Sequence, residues 1–119
     1  MLQALRGDKP LSKVLEIGTG CGYQAALLAR LAKEVYSVER IAGLLEKARG
    51  NLRSLRLSNL RLVHADGTGG LPEAAPFDGI IVAAAAPGIP GALLQQLAPG
   101  GRMIVPVGSG DQEIGRAHV

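Results

Sequence analysis

The sequence contains no tryptophan, and its aromatic residues amount to one Phe and two Tyr. A protein that grips single-stranded nucleic acid by stacking bases on rings needs a platform these residues cannot build. The only cysteine, Cys21, excludes an internal disulfide and a cysteine-rich zinc site, and it fits a reducing compartment. No apolar run reaches the roughly 18 residues of a membrane span. The longest, from Gly79 to Gly91, is interrupted by Pro87 and Pro90. The N-terminus lacks the charged, apolar and cleavage regions of a signal peptide, so the cytoplasm is the expected location. There is no block of like charge either. The 13 basic and 10 acidic residues are interspersed, and a net charge of +3 without a basic stripe implies neither nucleic acid nor a membrane as partner.

What remains is a chain of 119 residues, 47% of them hydrophobic, which is enough for one small domain or part of one. Short β-rich apolar runs alternate with helical patterns. Val14–Ile17, Val35–Val38, Leu60–Val63, Gly79–Val82 and Arg102–Val105 read as strands. Tyr23–Leu31, Ile41–Leu55 and Gly91–Leu97 read as helices, the last stopped by Pro99-Gly100-Gly101. Strand and helix in alternation predict a doubly wound α/β fold, with about five parallel strands covered by helices on both faces.

The chemistry concentrates where the first strand meets the first helix, in Glu16-Ile17-Gly18-Thr19-Gly20-Cys21-Gly22-Tyr23. Glycines at 18, 20 and 22 let the backbone approach a ligand closely, just before a helix N-terminus with free N–H groups. The dinucleotide fingerprint wants its third glycine where this chain has Tyr23. Glu16 ends the strand beside the loop, and a carboxylate there repels a pyrophosphate but suits a ligand with an ammonium and a sulfonium. S-adenosylmethionine is such a ligand. Glu39 ends the second strand, where a carboxylate can accept from both ribose hydroxyls, and Asp66 follows the third, where it can accept from the adenine amino group beside Gly67. Open α/β sheets bind ligands at this carboxyl edge. The expected cofactor site is therefore Glu16, Gly18, Thr19, Gly20, Gly22, Glu39, Asp66 and Gly67. No metal site is expected, and His64 reads as a structural or surface histidine because no Cys or acid is spaced with it.

Gly18-Thr19-Gly20-Cys21-Gly22-Tyr23-Gln24-Ala25, Val38-Glu39-Arg40, Asp66-Gly67, Ala75–Val82 and Gly100-Gly101-Arg102-Met103-Ile104-Val105-Pro106-Val107-Gly108 resemble the protein-L-isoaspartate O-methyltransferase family. The resemblance implies a Rossmann-like class I methyltransferase sheet. It also implies methyl transfer from S-adenosylmethionine to the α-carboxyl of isoaspartyl residues in damaged proteins, which is protein repair. Another S-adenosylmethionine-dependent methyltransferase acting on small molecules, or an inactive nucleoside-binding remnant, are the alternatives. No catalytic residue is required, because the carboxylate is already ionised at neutral pH. The family has Ser where this chain has Cys21, read as an inert thiol, and Thr where it has Ala83. The resemblance covers residues 1–110, taken as a partial cofactor-binding domain that lacks substrate-holding parts at both ends. That leaves the fifth strand as an open edge. Residues 111–119 are set apart as a tail, because Glu113–Val119 matches one reading frame of a common sequencing adapter.

Overall fold

The computed structural model describes residues 11–20, 22–82, 91–107 and 110–116. Strands β1 (Leu11–Ile17), β2 (Ala32–Glu39), β3 (Leu60–His64), β4 (Phe77–Val82), β5 (Leu97–Val107) and β6 (Gly110–Arg116) form one sheet in the order β3-β2-β1-β4-β5-β6. The first five strands are mutually parallel, as expected from the alternating pattern. Helix α1 (Tyr23–Leu31) links β1 to β2, α2 (Ala42–Leu52) links β2 to β3, and α3 (Gly91–Gln95) precedes β5.

Both faces of the sheet are covered, and the side-chain alternation of each strand divides the core in two. Leu15, Ile17, Val38, Phe77, Ile80 and Met103 pack on one face. Val14, Leu28, Val35, Ile81 and Ile104 pack on the other. Neighbouring residues of one strand thus serve opposite layers, which is why these strands read as continuous apolar runs. The Tyr36 and Phe77 rings meet edge to face at 6.1 Å.

Side chains distant in sequence fasten the connections. Asp78 on β4 accepts from the Ser12 and Lys13 backbone N–H groups at 3.0 and 2.8 Å, which anchors the start of β1. Asn59 donates to Ala29 O and Ala32 O at 2.7 and 3.0 Å and so satisfies carbonyls at the end of α1. Gln96 accepts from Leu71 N–H and donates to Gly69 O, both at 2.9 Å, holding the segment between β3 and β4.

Two expectations are corrected at the C-terminal side. The fifth strand is not an open edge: β6 runs antiparallel along it, in register from Val107↔Gly110 to Arg102↔Arg116. A strand edge offers unpaired N–H and C=O groups, and the chain that follows satisfies them. The third helix also ends at Gln95, and Pro99-Gly100-Gly101 lies inside β5. The register shift between Phe77 and Gly79 absorbs this irregular stretch. A Cβ on Gly101 would lie 2.9 Å from Ala98 O and 3.0 Å from Phe77 O, so only glycine fits there.

Candidate functional site

The sheet order reverses direction between β1 and β4, and the strands on one side of this switch point deliver the acidic residues to one edge. The parallel register sets Ile17 beside Val38 and Glu39 beside His64. Gly18 N–H donates to Val38 O at 2.8 Å, and Ala65 N–H donates to Glu39 O at 3.2 Å. The exits of β1, β2 and β3 are therefore bonded to one another.

Gly18, Gly20 and Gly22 all have positive φ, at 96°, 58° and 92°. Their surroundings differ. A Cβ on Gly22 would meet Leu52 and Ala48 of α2 at 2.9 to 3.3 Å, so this glycine lets α2 pack close to the start of α1. A Cβ on Gly20 would meet nothing within 4 Å, so here the backbone borders open space. Gly67 abuts Ile17, where any side chain would collide. Of Gly20, Gly22 and Gly67, Gly20 alone has open space where a Cβ would stand.

Glu39, only 5% exposed, holds that backbone in place. One carboxylate oxygen accepts from Gly20 N–H and the other from Ile41 N–H, each at 3.0 Å. The charge also stands at the N-terminus of α2, where the helix dipole favours it. Each oxygen keeps a further lone pair for a ligand hydroxyl.

Glu16 is 1% exposed and lies beneath the loop. Ser37 Oγ donates to its Oε1 at 2.5 Å, Gln24 Nε2 donates to its Oε2 at 3.2 Å, and Thr19 Oγ1 bonds Ser37 Oγ at 2.7 Å. Burial pushes the Glu16 carboxyl up from 4.5 to about 7. The Ser37 and Gln24 hydrogen bonds oppose that rise, and the nearby Glu39 charge adds to it.

The site residues expected from sequence thus fall into three positions. Glu16 and Thr19 belong to a buried polar network, the buried Glu39 is bonded to the Gly20 backbone, and Asp66 lies exposed on the turn after β3. Ser37 and Gln24 were not anticipated. The signal for Ser37 was a small polar residue inside the run Val35–Val38, and the register sets it directly opposite Glu16. His64 bonds Arg40 O at 3.0 Å from an exposed position, in keeping with a structural reading. No group of three or more potential metal ligands occurs among the described residues. Cys21 and Ala83–Ala86 lie outside the described residues.

The protein-L-isoaspartate(D-aspartate) O-methyltransferase family model matches residues 1–118. The chain belongs to this family. It is 68% identical to a protein-L-isoaspartate O-methyltransferase of Azoarcus sp. over 115 residues, covering 96% of this chain and 53% of that relative. It is 67% identical to one from Methylobacillus flagellatus over 112 residues, covering 94% of this chain and 50% of the relative. The chain therefore spans about half the length of these curated isoaspartyl methyltransferases. A solved protein-L-isoaspartate O-methyltransferase structure superposes with a TM-score of 0.80 at 30% identity, over 99% of this chain and 44% of that one. The N-methyltransferase NodS from Bradyrhizobium japonicum, solved with S-adenosyl-L-homocysteine, shares the fold, with a TM-score of 0.73 at 23% identity over 87% of this chain and 56% of that one.

Proposed function

We propose that this chain is the cofactor-binding part of an enzyme that methylates the α-carboxyl of L-isoaspartyl residues in damaged proteins, with S-adenosylmethionine as donor. The observation that carries this reading is the Glu39 carboxylate holding the Gly20 backbone beside open space. An acid-rimmed cradle repels phosphate and suits a nucleoside whose other end is cationic. When bound, S-adenosylmethionine supplies a methyl group made electrophilic by its sulfonium sulfur.

The chain's own residues bind and orient. Glu39 would accept from ribose hydroxyls with its remaining lone pairs, and Asp66 would accept from the adenine amino group beside Gly67. Gly18, Thr19 and Gly20 would line the methionine portion, with Gly22 fixing the loop on α2. Glu16 would act on the ligand's ammonium through the groups it holds, Gln24 and the Ser37–Thr19 pair. No residue need remove a proton, because the accepting carboxylate is ionised near neutrality. Alignment and exclusion of water are then the protein's contribution. We assign the protein to the cytoplasm; among the described residues, no helix is long and apolar enough to cross a membrane. We also assign no functional group to residues 111–119, whose backbone from Gly110 to Arg116 supplies β6.

Calorimetric titration with S-adenosylhomocysteine and with NAD tests the cofactor. Binding of the first and not the second is expected, and the reverse result overturns the reading. Methylation of an isoaspartyl peptide by this chain and by one extended to the length of its relatives tests the substrate. Activity of the extended chain alone is the expected outcome, and an extended chain inert toward isoaspartate sinks the assignment.

A further inference from the structure

Among the described residues, β3 is an outermost strand of the sheet, with β2 as its only strand neighbour. Val35 N–H donates to Asn59 O and Ala65 N–H donates to Glu39 O. The odd-numbered residues of β3 therefore face β2, and the backbone groups of Leu62 and His64 and the Leu60 carbonyl face outward, Leu60 N–H being donated to Leu57 O at 3.5 Å. Against this edge lies a groove of about 450 Å³ between β3 and the end of α2. Its floor is apolar, from Leu52, Leu60 and Leu62, and its wall carries Arg49, Arg53 and Arg56.

The three arginines stand at i, i+4 and i+7, so the end of α2 and the turn after it present them on one side. Arg49 meets Glu46 at 3.4 Å in an exposed pair, which is weak enough to be exchanged for a stronger partner. Arg53 and Arg56 make no ion pair among the described residues. Arg56 also adopts the left-handed conformation, with φ 48° and ψ 52°, where glycine is the favoured residue. A long cationic side chain is thus carried at a position whose backbone disfavours it.

We propose that this groove docks an acidic, extended segment of a partner protein, added to the sheet alongside β3. In an extended segment, alternate side chains point to opposite sides. One set of side chains would then meet the leucine floor while acidic neighbours reach the arginines, and the outward backbone groups of Leu62 and His64, with the Leu60 carbonyl, pair with the segment's backbone. A nucleic-acid strand offers no such alternation of amide donors and carbonyl acceptors, and no aromatic side chain lines the groove for its bases.

Fluorescence anisotropy with a short labelled peptide alternating Glu and Val tests this. The expected result is saturable binding that weakens with salt and falls by about tenfold or more in the double variant R53E/R56E. A peptide with Lys in place of Glu, or with alternate amides N-methylated, is expected not to bind. Arg56→Gly keeps the test independent of folding damage: it is expected to raise the melting temperature while weakening the peptide. No binding, equal binding of the N-methylated peptide, or equal binding of a single-stranded oligonucleotide would each overturn the proposal. Loss of peptide binding in a chain extended to its relatives' length would also overturn it, since the remainder of the protein would then fill the groove.

Discussion

Ser37 Oγ donates to Glu16 Oε1 at 2.5 Å across the parallel pairing of β1 with β2, and Thr19 completes the chain to the glycine loop. When Glu16 is ionised, Ser37 gives it a proton in hydrogen bonding and Thr19 must donate to Ser37. When Glu16 is protonated, the order can run the other way. The loop is thereby coupled to the charge on a buried acid.

A dependence of stability on pH follows. The folded Glu16 carboxyl titrates at about 7 against 4.5 when exposed, so the protonated form is favoured in the fold. Its stabilising contribution is complete below about pH 4.5 and is lost as pH rises, with the loss complete above about 7. At roughly 1.4 kcal/mol per tenfold, the loss is on the order of 3 kcal/mol. Denaturant melts at pH 5 and pH 8 are expected to differ far less for Glu16→Gln than for the native chain. An equal difference in both would place the responsible group elsewhere.

Gly20 and Gly22 are expected to respond differently to alanine. Gly22→Ala adds a collision with Leu52 and Ala48 to an unfavourable φ, and overpacking plus the left-handed penalty comes to about 2–4 kcal/mol of stability. Gly20→Ala meets no neighbour and is expected to cost only about 1 kcal/mol from its φ. Its effect falls instead on S-adenosylhomocysteine, whose affinity is expected to drop roughly tenfold. Thermal melts and calorimetry on both variants separate the two roles.

Glu39→Gln tests the rim. The amide keeps one acceptor but brings an NH2 group against one of the two backbone N–H donors, Gly20 or Ile41. An unsatisfied buried donor costs about 1–3 kcal/mol, and the lost charge removes attraction for a cationic ligand. Lower stability together with weaker S-adenosylhomocysteine binding is expected. A variant that binds as tightly as the native chain would remove Glu39 from the site.

The tail offers a test of a different kind. Replacing Glu113–Arg116 with an unrelated strand-forming sequence is expected to leave S-adenosylhomocysteine affinity unchanged, because the backbone of that stretch pairs along β5. A fall in affinity at unchanged stability would give those side chains a function.

The central strands were legible because burial on both faces writes itself as apolar runs, as in Gly79–Val82, while the half-exposed β3 was legible from the short run Leu60–Val63 after a turn. The places of Glu39 at a strand end and of the glycines before a helix were legible because strand ends and helix starts have local signatures. β6 was not, since its pairing answers an edge that exists only once β5 is in place. The Glu16 network was hidden for a similar reason. Ser37 finds Glu16 through a register between strands 21 residues apart, and Asp78 reaches Lys13 across 65. Sequence also placed Glu16 at the strand end without revealing that its carboxylate lies beneath the loop.

The Gln96 carboxamide spans Gly70, bonding the residues on either side of it. A Cβ on Gly70 would strike that same amide, so glycine and glutamine fit as a matched pair. One planar group thus serves a stretch of irregular chain as a splint, tying the segment after Asp66 to the residue that leads into β5.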